Sequence, residues 1–169
     1  MLKENVSKLV NEQINKEIYS AYLYLDMANF YVNKGLNGFA NWFNIQAREE
    51  MDHALLFMKY LQNNGFEVVL EAIAKPSEVY QDLRKPLVEA LKHEEYVTAS
   101  INAIYSEAVK VVDYRTQEFL TWFIKEQGEE EKNSTDLIIA YDMHGKQGIF
   151  MMDSKLAARM YAAPSLILD

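Results

Sequence analysis

A chain of 169 residues, 50% of them hydrophobic and with a formal charge of -8, is long enough for one well-packed domain and too short to argue for two. The absence of cysteine excludes disulfides, thiolate metal sites and cysteine catalysis, and the acidic balance argues against a general nucleic-acid surface while mildly favouring cationic ligands. No apolar run approaches the roughly 20 residues that cross a bilayer, and Met1-Leu2-Lys3-Glu4-Asn5 lacks the order of a signal peptide, so a soluble, cytoplasmic protein is expected.

From about Glu4 to Asn33 apolar residues recur at helical spacing, and Asn33-Lys34-Gly35 supplies a stop. A second helical pattern runs from about Asn37 to Asn64 and ends at Gly65, a residue suited to a left-handed cap. The short link predicts an antiparallel helix hairpin. Between Phe66 and about Gln81 the pattern breaks, with Val68-Val69-Leu70 reading as extended. A structureless connection of this length needs a reason, and a crossover that carries the chain the length of a bundle supplies one. Pro86 suits the first turn of a third helix continuing to about Val112. After a turn or kink at Lys110 to Asp113, a fourth helix runs from about Tyr114 to His144, closed by Gly145 and Gly148. A short fifth helix is expected from Ile149 to about Met160, followed by a tail over 161–169 with Pro164 and the apolar Leu166-Ile167-Leu168. The expectation is an all-α four-helix bundle over about 4–144, with a long crossover between helices 2 and 3 and a short C-terminal fifth helix, forming one domain over 1–169.

At 100° per residue, positions 4, 7 and 11 apart lie within about 40° of one another. Glu17 thus shares a face with Val6, Val10, Ala21, Tyr24 and Ala28, and Glu50 with Phe39, Phe43, Ala54, Phe57 and Leu61. Glu94 falls among Leu83, Leu87, Ala90, Ile101 and Tyr105, and Glu130 among Phe119, Phe123, Leu137 and Tyr141. Each long helix therefore carries a carboxylate in the stripe that should be core. An unpaired buried carboxylate costs several kcal/mol or more of solvation, and Arg48 and Lys125 sit off these directions. Each glutamate lies roughly a dozen residues, or about 18 Å, into its helix, so antiparallel packing brings the four to one height. His53, three residues after Glu50, projects from the same face and adds an imidazole. Oxygen donors with one imidazole suit two iron or manganese ions bridged by carboxylate, and suit structural zinc badly. A di-metal carboxylate centre is a known template of four-helix bundles.

On these residues the chain resembles the bacterial non-haem ferritins over nearly its whole length, including the crossover and the fifth helix. The resemblance implies a ferritin-like fold and a di-iron ferroxidase centre, in which Glu17, Glu50 and His53 hold the first iron and Glu50, Glu94 and Glu130 the second, with Glu50 bridging. It places Gln127 beside the site, orienting water or dioxygen, and it makes Tyr24 either an electron donor or a core aromatic with a satisfied hydroxyl. Glu49, Glu126 and Glu129 match the additional ligands of a third iron site, and read equally as a solvated acidic face. Bacterioferritins would carry a second Glu-x-x-His on the fourth helix, where this chain has Gln127-Gly128-Glu129-Glu130, and Met51, at the position of their haem ligand, reads as packing; no haem is expected. Gly128 inside a helix costs around 0.8 to 1.0 kcal/mol relative to alanine, which close approach near the site would explain. His93 and His144 fall away from the set.

The function so implied is iron storage: oxidation of Fe(II) to Fe(III) by dioxygen or peroxide, and retention of ferric mineral in a homo-oligomeric shell of 24 subunits, with no nucleic-acid or membrane partner. Apolar Ile18, Tyr22, Leu23, Leu25 and Phe30, pointing away from the Glu17 face, offer surface for assembly. A di-iron oxidase of an organic substrate and a bundle with a merely structural metal are the rival readings.

Overall fold

Helix α1 spans Glu4–Val32, α2 Asn37–Asn63, α3 Lys85–Lys110, α4 Tyr114–His144 and α5 Ile149–Ala157 in the computed structural model. The structure describes residues 2–145 and 147–168. Met1 and Asp169, the outer bounds of the expected domain, and Lys146, after the fourth helix, lie outside the described residues. Among the described residues there is no strand, and the four long helices begin and end within a few residues of their expected bounds.

Local chemistry sets each reversal. At the end of α2, Gly65 takes a left-handed φ of 78°, and the Phe66 amide donates back to the Leu61 carbonyl at 3.0 Å, which satisfies a carbonyl at the helix end. Between α3 and α4, Asp113 caps the fourth helix: its carboxylate accepts from the Thr116 amide at 3.2 Å and the Thr116 hydroxyl at 2.7 Å. Glu94 and Glu130 stand equally far from this turn, which puts them level. The crossover is tethered at both ends of α1. Val69 exchanges two hydrogen bonds of 2.9 Å with the Asn11 side chain, and the Leu83 carbonyl accepts from the Tyr31 hydroxyl at 2.6 Å. From Asn11 to Tyr31 the helix rises about 30 Å, so this irregular stretch traverses most of the bundle, as the length argument requires.

The apolar interior is divided. One cluster, built on Tyr31, Phe39, Phe43 and Leu87, lies toward the α1–α2 turn. The other, built on Val10, Phe57, Ile101 and Phe123, lies toward the α3–α4 turn. Buried polar groups, Glu17, Glu50, His53, Glu94, Gln127 and Glu130 among them, occupy the layer between.

Helix α5 closes the first cluster with Ile149, Met152 and Leu156. Its Asp153 carboxylate accepts from the Gly38 and Phe39 amides at 2.8 and 3.0 Å, placing a negative charge on the N-terminus of α2, where free amides and the helix dipole favour one. The helix ends at Ala157, short of the expected Met160. The Leu156 carbonyl, which a continued helix would pair with residue 160, instead accepts from the Arg159 amide at 3.1 Å and the Asn41 side chain at 3.2 Å. Arg159 and Tyr161 then run along α2, reaching Glu49 at 2.7 Å and Asp52 at 2.6 Å. On α1, Tyr22 and Leu25 are exposed as expected for an assembly face, whereas Leu23 is buried in the core.

Two glycines separate by their surroundings. A Cβ on Gly38 would fall 1.7 Å from the Asp153 carbonyl oxygen, while one on Gly128 would meet nothing within 4 Å. Close approach therefore does not explain Gly128. Gly38→Ala is expected to dislodge α5, lowering the midpoint of thermal unfolding and opening 149–161 to protease, whereas Gly128→Ala stabilises by about 1 kcal/mol. A Gly38→Ala protein with unchanged melting and protease resistance would contradict this packing.

Candidate metal centre

All four glutamates predicted to face inward do so, each no more than 4% exposed. The reason is the stripe that carries them: Val6, Val10, Ala21, Tyr24 and Ala28 around Glu17, and Phe39, Phe43, Ala54, Phe57 and Leu61 around Glu50, are all buried. Glu17, Glu50 and His53 converge so closely that one donor atom from each lies within 4.8 Å of the others. His53 Nδ1 stands 3.6 Å from Glu50 Oε2, and its ring meets Trp122 and Phe123 edge-on at centroid distances of 5.6 and 5.7 Å. Aromatic walls on the imidazole restrict its rotation and exclude water.

The hydrogen bonds sort the carboxylates by role. Glu17 accepts at Oε1 from the Gln13 amide at 2.8 Å. Glu130 accepts at Oε2 from the Gln46 amide at 2.7 Å. Glu94 accepts at Oε2 from Gln127 at 3.1 Å and at Oε1 from the Tyr24 hydroxyl. No amide or hydroxyl donates to either oxygen of Glu50 or to Glu17 Oε2; these two carboxyl groups lie close enough to hydrogen-bond each other when one carries a proton. Each of three carboxylates is thus held by a neutral amide, and the fourth, Glu50, has only the Glu17 carboxyl beside it. A carboxylate that takes no amide or hydroxyl donor on either oxygen, in the middle of the layer, is suited to span two cations once deprotonated.

Burial is the leading cause of the high carboxyl pKa values in this layer. It holds Glu17 well above the ordinary range, with the nearby Glu50 adding repulsion. Glu50 is raised by burial and then by Glu94, and Glu94 by burial despite the hydrogen bonds from Tyr24 and Gln127. Glu130 is pushed from 4.5 to about 8, again by burial and then by Glu94. Tyr24 is raised by burial and by the charge of Glu94. Among the described residues no lysine or arginine forms an ion pair with any of the four glutamates. Buried carboxylate oxygens that take no amide or hydroxyl donor, beside an imidazole and with no cationic side chain to match them, fit divalent metal ions of the iron and manganese type.

Glu94 and Glu130 share the buried layer but are not among the three residues whose donor atoms lie within 4.8 Å of one another, and the other predicted residues lie further out. Glu49 is engaged by Arg159, and burial raises it while Arg159 opposes the shift. Glu126 is half-buried and raised by burial, and Glu129 is exposed. Met51 is 39% exposed on the outer side of α2. His93 is occupied by the Ser20 hydroxyl at 2.7 Å, and burial lowers it to about 4. Gln13, Gln46 and Arg159 are new to the site. Gln13 and Gln46 each precede a site glutamate by one helical turn, a spacing that puts them on the glutamate's own face. Arg159 follows the last helix, where no periodicity places it.

A ferritin-like domain family model matches residues 7–141. A Haemophilus influenzae protein named probable bacterial non-heme ferritin-like protein is 35% identical over 158 residues, covering 92% of this chain and 96% of that one. The bacterial non-heme ferritin of Campylobacter jejuni is 35% identical over 156 residues, covering 90% and 93%. The open-pore ferritin of Archaeoglobus fulgidus superimposes with a TM-score of 0.92 at 34% identity, covering 94% of this chain and 98% of that one.

Without metal, the carboxylate layer should make stability depend on pH. Between 4.5 and about 8 the folded chain binds a proton at Glu130 that the unfolded chain has released, so each step up in pH through that window weakens the fold. Glu17, Glu50 and Glu94 are shifted the same way and add to the loss. Chelator-treated protein should melt at progressively lower temperature as pH rises through that window, and Glu130→Gln should flatten the slope. A melting temperature that rises instead would contradict the burial of these carboxylates.

Proposed function

The chain belongs to the ferritin-like family, and from that premise we propose that it is an iron-storage protein with a di-iron ferroxidase centre. The observation that carries this reading is the convergence of Glu17, Glu50 and His53 in the core, with no amide or hydroxyl donating to Glu17 Oε2 or to either oxygen of Glu50. Fe(II) is the substrate. Glu17, Glu50 and His53 take one ion, and Glu50, Glu94 and Glu130 the other, with Glu50 between them. The first ion is the tighter bound, because its donors already converge and include the imidazole, whereas Glu94 is hydrogen-bonded on both oxygens.

Each Fe(II) gives up one electron, and dioxygen takes the pair with two protons as hydrogen peroxide; with peroxide as the oxidant, the same pair yields two hydroxide ions. Four carboxylates stabilise the greater charge of the ferric product. Gln127, bonded to Glu94 and 3.3 Å from Thr98 Oγ1, orients the oxidant or water; when only one Fe(II) has been oxidised, Tyr24 gives the oxidant the second electron and its phenol proton to Glu94, and the next Fe(II) returns the electron. Apolar clusters on both sides of the layer limit escape of reactive products. The proposed setting is a 24-subunit cytoplasmic shell holding ferric mineral, each subunit a single domain over 1–169. Glu49, Glu126 and Glu129 form an accessory iron position in this reading.

Adding Fe(II) in air tests it. The protein should retain many irons per chain, and retention of two or fewer would contradict storage. Glu50→Ala and His53→Ala should slow the fast phase of oxidation by more than the roughly 10-fold that loss of an outer hydrogen bond to a ligand costs. An unchanged fast phase would refute the ligand assignment. Native mass measurement should give a shell, and a monomer or dimer would refute the assembly.

A further inference from the structure

A directional chain of hydrogen bonds runs from the side of the bundle to the first metal position. The Lys16 ammonium donates to Ser100 Oγ at 2.6 Å, the Ser100 hydroxyl donates to Gln13 Oε1 at 2.6 Å, and Gln13 Nε2 donates to Glu17 Oε1 at 2.8 Å. Lys16 and Ser100 are half-buried, whereas Gln13 and Glu17 are wholly buried. The chain links α1 to α3, returns to α1 at Gln13, one turn before Lys16, and ends at Glu17.

Its direction follows from the chemistry of its first member. An ammonium has three protons and no acceptor, so the Ser100 hydroxyl must accept from Lys16, and its own proton is free to point at Gln13. The amide of Gln13 is thereby fixed with its carbonyl toward Ser100 and its N–H toward Glu17. The reverse orientation would set a carbonyl oxygen against the Glu17 carboxylate and lose the hydrogen bond to it. Gln46, which holds Glu130 in the same manner at 2.7 Å, has no such anchor: its carbonyl oxygen is buried without a hydrogen-bond partner. The relay thus distinguishes the first metal position from the second.

We infer that Lys16, Ser100 and Gln13 are positioning residues that fix Glu17 as a hydrogen-bond acceptor at Oε1, leaving Oε2 turned to the metal, and so set the affinity of the first cation. This deepens the ferroxidase reading and rests on it. None of the three belongs to the proposed ligand set. The neutral amide transmits direction from a distant charge while adding no positive charge next to the cation.

Anaerobic titration of the assembled protein with Co(II), followed by its visible absorbance, separates the two binding steps. Ser100→Ala and Lys16→Met should each weaken the first step by about five-fold, the worth of one hydrogen bond of roughly 1 kcal/mol, and leave the second within about two-fold. Ser100→Thr keeps the hydroxyl and should restore the first step. The double variant Lys16→Met/Ser100→Ala should bind no more weakly than the weaker single variant, because the chain is already broken. Lys16→Met lies at a partly exposed position and carries the test even if Ser100→Ala folds poorly. Equal weakening of both steps, no weakening of the first, or additive losses in the double variant would overturn the positioning role. Failure of the unsubstituted protein to bind Co(II) would instead overturn the metal reading, and the relay's role with it.

Discussion

Four glutamates buried in one layer of a helical bundle repel one another and resist the loss of water, at a cost of several kcal/mol for each charge left unpaired. The neighbours of these carboxylates answer only part of that cost. Gln13, Gln46, Gln127 and the Tyr24 hydroxyl supply hydrogen bonds to three of them, and no lysine or arginine ion pair reaches the layer among the described residues. That choice of donor is decisive. A lysine in place of any of these glutamines would satisfy the same oxygen and cancel the charge that attracts a cation. The amide orients the carboxylate and leaves its charge in place.

The rest of the fold serves this layer. Apolar clusters above and below it insulate the charges, and the crossover, pinned at Asn11 and Tyr31, lets two helix hairpins pack so that their glutamates meet at one height. At the margin the rule reverses. Glu49 is neutralised by Arg159, whose guanidinium also lies 4.1 Å over the Trp42 ring. The segment after α5 therefore brings its positive charge to the outside of α2 and none to the centre.

Most of this was legible in the sequence because one periodicity carries it. Helical spacing places Glu17, Glu50, Glu94 and Glu130 in apolar stripes, and the hairpin turns make the stripes converge. Side-chain amides escape the same reading: glutamine is common on helices, and only the geometry shows that Gln46 crosses to Glu130 on another helix while Glu50, one turn along its own, takes no amide. The end of α5 escaped for a related reason. Its residues favour a helix as far as Met160, but Asn41, far away in sequence, competes for the Leu156 carbonyl. Gly128 departs from helical propensity, and no neighbour explains it.

The central claim is that the carboxylate layer holds two iron ions sharing Glu50. Crystals soaked anaerobically in Fe(II) and measured with X-rays tuned to the iron absorption edge test it most directly. Two anomalous peaks are predicted, one among Glu17, Glu50 and His53 and one among Glu50, Glu94 and Glu130. Peaks confined to the surface, or an empty layer at saturating iron, would contradict it.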